Sequence, residues 1–266
     1  MIRCLLETSI TTSSISYPFA RGWLDAPDWL DLQERVTADM IGEQRACALV
    51  DAIDATRLFE THAVLSDLAL VSTHNGPIAL HSERRPDEIE NAVVQLGTVG
   101  PVAEAAARAT IHHFYGIDVL DWSRAADHGD IEVVQDTEVF TEAGDIFRED
   151  LVRAWFILTS LSLPSHVFVA PLDVLQDQPE LIQPIMNELR RATNVSDERR
   201  RELRRNLSDD HDLDRDRLTQ FLNDQKTRLT KSGRKGWLDL ANRVAKAMQL
   251  PDELRPVTHS LASGSE

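Results

Sequence analysis

Up to residue 171 the chain alternates short apolar runs with helical stretches, and beyond that point no strand signal recurs. This switch constrains the fold more than any single motif. Short apolar runs bounded by turn residues suit buried parallel strands, and intervening helices supply the crossovers that parallel strands require. The runs lie at residues 2–6 (IRCLL), 47–53 (CALVDAI), 69–80 (ALVSTHNGPIAL, broken at Asn75-Gly76-Pro77), 92–96 (AVVQL), 131–135 and 166–170 (HVFVA). Between them, residues 31–45 carry Leu32, Val36, Met40 and Ile41 at helical spacing, and residues 150–161 read as an apolar helix. The Ala-rich stretch after Pro101 ends at Gly116, so a helix starts on a proline and stops on a glycine. After residue 171 the pattern predicts helices over 179–192, 196–207, 215–229 and 235–248, with Ser196 as an N-cap. The expected class is α/β, closed by an all-helical C-terminal segment.

The 266 residues suffice for one large domain or two lobes, and no apolar run approaches the length of a membrane span. A formal charge of -16 repels phosphate backbones, so nucleic acid is excluded as an expected partner. Cys4 and Cys47 sit in apolar strands without metal-type spacing, which predicts two buried free thiols. No metal and no cofactor is expected. The N-terminus MIRCLLETSI lacks a basic segment followed by a long apolar one, and the expected location is cytoplasmic, or extracytoplasmic if a signal segment was removed. Oligomeric state is left open.

Ligands of open α/β sheets bind beyond the carboxyl ends of the strands. Four such loops stand out: residues 11–17, the turn after Asp51, residues 73–76 and residues 97–100. They offer the hydroxyls of Thr11, Thr12, Ser13 and Ser14, the wall of Tyr17, the polar groups of Thr73 and Asn75, the exposed amide of Gly76, and Thr98. Ser165 and His166, at the start of the run 166–170, complete the candidate binding set. Together these groups suit a small, carboxylate-bearing ligand held without metal. For acid–base chemistry the candidates are His74, in one loop, and Asp51, behind a buried strand. His112 and His113 complement a helix dipole, and Asp209–Asp216 lacks the glycine and terminal glutamate of a calcium loop. The run DERRRELRR at 197–205 reads as a solvated helical face, or else as a basic docking patch.

Several stretches, in order, resemble the chorismate dehydratases of the futalosine route to menaquinone: ISYPFARGW, ACALVDAIDATRL, LSDLALVSTHNGPIAL, HHFYGI and LVRAWFILTSLSLPSHVFVAP. The resemblance implies a type II periplasmic-binding-protein fold, with lobe 1 from residues 1–80 and 172–266 and lobe 2 from residues 81–171. It implies a ligand between the lobes and, where catalysis is kept, a carbon–oxygen lyase. Departures fall in the implied pocket. Ile15 replaces an Asn, Asp51-Ala52 replaces a hydroxyl pair, His74-Asn75 replaces the Ser-Asp before Gly-Pro, and Thr98 is what remains of a hydroxyl-rich turn. The expected function is therefore small-molecule binding with an altered ligand. The alternatives are a chorismate dehydratase-like lyase and a partner-binding protein with an empty or closed cleft.

Overall fold

A computed structural model describes residues 2–125, 129–142, 144, 146–251 and 256–261. In chain order the first part runs β1 (Cys4–Glu7), α1 (Ser13–Ala20), β2 (Leu30–Gln33), α2 (Ala38–Gln44), β3 (Cys47–Asp51) and β4 (His62–Ser72). The middle comprises β5 (Ile78–Ser82), β6 (Asn91–Gln95), α3 (Pro101–Tyr115), β7 (Asp118–Ser123), β8 (Ile131–Gln135), α4 (Thr137–Phe140), β9 (Phe147–Asp150) and α5 (Leu151–Thr159). The return strand β10 (Leu163–Pro171) leads into α6 (Leu172–Asp177), α7 (Ile182–Glu198), α8 (Arg200–His211), α9 (Arg215–Asp224), α10 (Lys231–Val244) and β11 (Thr258–His259).

Two sheets result, in the orders β11-β4-β10-β3-β1-β2 and β7-β6-β8-β5-β9. In the first, β1 is parallel to β2 and β3, while β10 runs antiparallel to β3 and β4. In the second, β6 is parallel to β7 and β8, while β5 runs antiparallel to β8 and β9. The chain crosses between sheets twice, from β4 to β5 and from α5 to β10. The boundary therefore differs from 80 and 171: β5 belongs to lobe 2 and β10 to lobe 1. Both strands belong to apolar runs, and only their pairing assigns them to a sheet.

Alternation along the strands divides the core. Leu5, Ala48 and Val50 face a cluster that includes α3, Trp155 and Trp237. Cys4, Leu6, Cys47 and Leu49 face the opposite side, against Ile15 and Phe19 of α1 and Ile185, Met186 and Leu189 of α7. Cys4 and Cys47 are register partners, buried and free. Burial pushes both thiols up, Cys47 to about 12, so neither is a reactive thiolate. A third cluster spans both lobes, joining Ile10 and Tyr17 of lobe 1, Val139 and Phe140 of lobe 2, and Leu213, Leu218 and Phe221 of the α8–α9 hairpin. Burying side chains of this size contributes roughly 1.5–3 kcal/mol each. The C-terminal helices thus act as a strap across the two lobes.

Several local expectations are corrected. Residues 31–45 are not one helix: Leu30–Gln33 pairs with β1 as an edge strand, and the helix starts at the N-cap Thr37, whose side chain accepts from Met40 N. The hydroxyl stretch is not an open loop, because residues 13–20 are helical and Ile15 and Phe19 are buried. Ser196 is no cap, since α7 runs through it and buries it. The strands β7 and β9 were not legible, because as edge strands they carry exposed polar residues rather than apolar runs. Among the described residues no helix is long and apolar enough to cross a membrane.

Candidate functional site

The parallel strands β1 and β3 deliver Glu7 and Asp51 to their carboxyl ends, and β8 delivers Gln135 and Asp136 from the other lobe. Between them lies a cavity of about 340 Å³, lined also by residues 34–36, the turn 98–101, Glu138 and His166. Among the described lining residues six are carboxylates (Glu7, Glu34, Asp51, Asp54, Asp136 and Glu138), against one arginine, Arg35.

Two of these carboxylates reach across the cleft. Asp51 Oδ1 accepts from the amides of Ile53 (2.8 Å) and Asp54 (3.1 Å) in its own lobe, while Oδ2 accepts from Val102 N, in the first turn of α3, at 2.9 Å. Pro101 has no N–H, so Val102 is the first donor that helix offers. The approach needs Gly100, where a Cβ would lie 2.9 Å from Asp51 Oδ2. In the reverse direction, Asp136 of lobe 2 accepts from Ile10 N (3.1 Å), Thr11 N (2.6 Å) and Thr11 Oγ1 (2.6 Å). Its backbone sits at φ 58°, ψ −124°, a region unfavourable to a side chain, held by its own N–H donating to Pro77 O at 2.9 Å.

Burial lifts Asp51 to about 7 against the pull of the three amides. Glu7 is raised by burial, and the Asp136 charge adds to this; its Oε2 accepts from Val36 N at 3.2 Å. Glu138 is raised by burial and by Glu132 and Asp136. His166 is buried and lowered by burial to about 4, so its ring is neutral near pH 7, with Nε2 3.9 Å from Glu7 Oε1.

The hydroxyls anticipated as ligand contacts bond within the chain. Thr12 Oγ1 donates to Glu7 O at 2.6 Å, Ser13 Oγ to Ile10 O at 2.7 Å, and Ser14 Oγ to Gln225 Oε1 at 3.0 Å. Tyr17 packs edge-on to Trp23 and lines a smaller cavity beside α8. The amides of Thr73, His74 and Asn75 all donate to Asp224 Oδ2, at 2.6, 2.8 and 3.1 Å, and Gly76 N donates to Asp150 Oδ2 at 2.8 Å. Thr73 Oγ1 bonds Ser162, and Ser165 Oγ donates to Leu70 O while contacting His166 Nδ1. Of the anticipated set, Asp51, Thr98 and His166 line the interlobe cavity.

His74 and Asp51 are not brought together. His74 is exposed, its ring edge-on to Phe156 at 4.6 Å, and it lines a separate cavity of about 680 Å³ between α5, α9 and β9. The basic run is also engaged: Arg199 and Arg200 pair with Glu202 and Asp197, Arg199 stacks over Trp23, and Arg204 donates to Thr219. No set of three or more His, Cys, Asp or Glu placed to hold a metal occurs among the described residues. The residues missed are Glu7, Gln135, Asp136 and Glu138. The strand-end rule that picks out Asp51 picks out Glu7 and Asp136 equally, since each follows a short apolar run.

No protein-family model matches the sequence, and no curated protein matches it either. Solved structures do. Protein AF1704 from Archaeoglobus fulgidus aligns with TM-score 0.68 at 12% identity over 93% of this chain and 98% of that one. The periplasmic aliphatic sulphonate binding protein SsuA from Escherichia coli aligns with TM-score 0.67 at 9% identity, over 96% and 95%. The Candida albicans CA3427 gene product, which exhibits the generic periplasmic binding protein fold, aligns with TM-score 0.58 at 11% identity, over 95% and 92%. The chain has the two-lobed α/β periplasmic-binding-protein fold, with a helical C-terminal segment.

Proposed function

We propose that this protein binds a small molecule in the interlobe cleft and that the ligand is an organic cation, such as an amine or guanidinium compound. The observation that carries this reading is the cleft lining, six carboxylates facing one arginine and a neutral histidine. Such a wall concentrates cations and repels anions, most strongly where low-dielectric surfaces surround it. A carboxylate-bearing ligand finds less support, because the amides and hydroxyls that suit it donate to Asp51, Asp136 and Asp224. For the same reason the ligand class in the name of SsuA is not carried over. Fold alone does not fix a ligand.

The lyase reading, dehydration of chorismate with His74 or Asp51 as base, has weaker support because those residues line different cavities. A thermal-shift screen tests the proposal, since a ligand that binds only the folded state raises the melting temperature. The panel sets amines and guanidines against sulphonates, carboxylates and chorismate, with the mass of each ligand followed. Stabilisation by cations with unchanged ligand mass is the expected result. Stabilisation by anions alone overturns the charge assignment, and loss of water from chorismate establishes the lyase.

A further inference from the structure

The two cross-lobe carboxylates form a reciprocal pair. Lobe 1 sends Asp51 to the first donor of α3 in lobe 2, and lobe 2 sends Asp136 to the turn that opens α1 in lobe 1. Helix N-termini of this kind attract anions, because their first amides lack partners within the helix. Here the neighbouring amides are also used. Ala103 and Glu104 donate to Gly100 O, Thr12 N to Ser9 Oγ, and Ser13 N to Ile10 O. An incoming anion would compete for amides already bonded to carboxylates.

We infer that the Asp51 and Asp136 carboxyl groups are resident acceptors: Asp51 takes the first amide of α3 and Asp136 takes the amides of the turn that leads into α1, holding the lobes closed without ligand and leaving anionic ligands no free amides there. Three further features suit that arrangement. Gly100 leaves the space into which the Asp51 carboxylate fits. Asp136 adopts a positive φ to aim its carboxylate at Ile10 and Thr11. The strap reinforces closure, since Asp214 N donates to Phe140 O at 2.7 Å and Phe221 packs on Phe140 with ring centroids 5.0 Å apart. In a two-state cleft, contacts made only in the closed form shift the population toward it. These contacts belong to the chain itself, so closure does not wait for a ligand. The exclusion of anions rests on the cleft being the binding site proposed above; the closed resting state does not.

Small-angle scattering and methanesulphonate titration of the full chain test both halves. The variants are Asp51→Ala, Asp136→Ala and Gly100→Ala, the last displacing the Asp51 carboxylate while leaving it in the sequence. Far-UV circular dichroism identifies any variant that fails to fold, and the three address the same contacts from both lobes. Wild type is expected to scatter as a compact particle with no response to methanesulphonate. The folded variants should show a larger radius of gyration and an affinity for methanesulphonate at least about tenfold above wild type, equivalent to about 1.4 kcal/mol. Variants as compact as wild type would refute the latch, and open variants still blind to methanesulphonate would refute anion exclusion. An amine titration of wild type in the same series separates the two readings: opening and anion gain in the variants without amine binding by wild type sinks the cation proposal but keeps the latch.

Discussion

Asp224, at the end of α9, is expected to be the anchor that ties the C-terminal strap to the first crossover. One oxygen accepts from three successive amides, those of Thr73, His74 and Asn75, just past the end of β4. A hydrogen bond to a charged acceptor contributes about 1.5–3 kcal/mol when shielded from water and less when exposed. His74 is exposed and Thr73 and Asn75 are half-buried, so the three bonds are not worth three full increments. Asp224→Ala should therefore cost about 2–4 kcal/mol, and Asp224→Asn, which keeps one acceptor oxygen, about half of that. Urea unfolding gives the stability, and amide hydrogen exchange gives the location. The amides of residues 73–75 should lose protection in the Ala variant while those of β3 and β10 keep theirs, since local opening there leaves the sheet paired. Unchanged protection at 73–75, with a stability loss below about 0.5 kcal/mol, would mean that water replaces Asp224 without cost.

Gly76→Ala should destabilise severely, because its Cβ would overlap the Val152 side chain; the double variant with Val152→Ala should recover much of the loss in thermal melts. A double-mutant cycle on Phe140 and Phe221, whose rings pack at a 37° tilt with centroids 5.0 Å apart, should give a coupling of about 0.5–1.5 kcal/mol by urea unfolding, and additivity within error would show that the strap does not depend on this pair. For pH, Asp51 rises from 3.8 to about 7 in the fold, so the folded chain retains a proton there that the unfolded chain releases. Its contribution is complete below pH 3.8 and is lost as pH rises through about 7. His166 falls from 6.5 to about 4 and acts in the opposite sense, adding stability as pH rises from about 4 to 6.5. Asp51→Asn should therefore make stability climb more steeply with pH in that window, and His166→Asn should make it climb less or fall; identical pH profiles for both variants and wild type would refute the two assignments.

Much of the framework was legible because burial writes itself into sequence. Residues 47–53 and 166–170 are apolar on both faces, as central strands must be, and Pro101 and Gly116 bracket α3 where the chain needs a proline start and a positive-φ stop. The edge strand Leu30–Gln33 was hidden inside a helical spacing, since Leu32 stands four residues before Val36 and Val36 four before Met40, as one helix face would have them. Asp51 could be chosen as a pocket residue because it ends a buried strand. What could not be read was its role, nor the fate of Thr11, whose acceptor Asp136 lies 125 residues away. A run of hydroxyls signals available donors, but whether a ligand or the chain uses them depends on long-range pairing that no local pattern records.

The latch and the proposed ligand charge are linked by the way these carboxylates are satisfied. Had Asp51 and Asp136 been paired with arginines, their charges would have been neutralised and the cleft would present little net field. Instead both accept from amides and a hydroxyl, which are dipoles without net charge. Their hydrogen-bonding capacity is met while their charge, when ionised, remains to act on anything entering the cleft. Glu7 and Glu138 stand close enough to Asp136 for its charge to raise their pKa values. A bound cation would relieve the repulsion among the cleft carboxylates and draw their pKa values down. Binding should consequently release protons and strengthen as pH rises through about 7, where Asp51 ionises, so a titration in buffers of different ionisation enthalpy provides a direct test. A cation whose affinity is flat across that range would be binding somewhere other than this cleft.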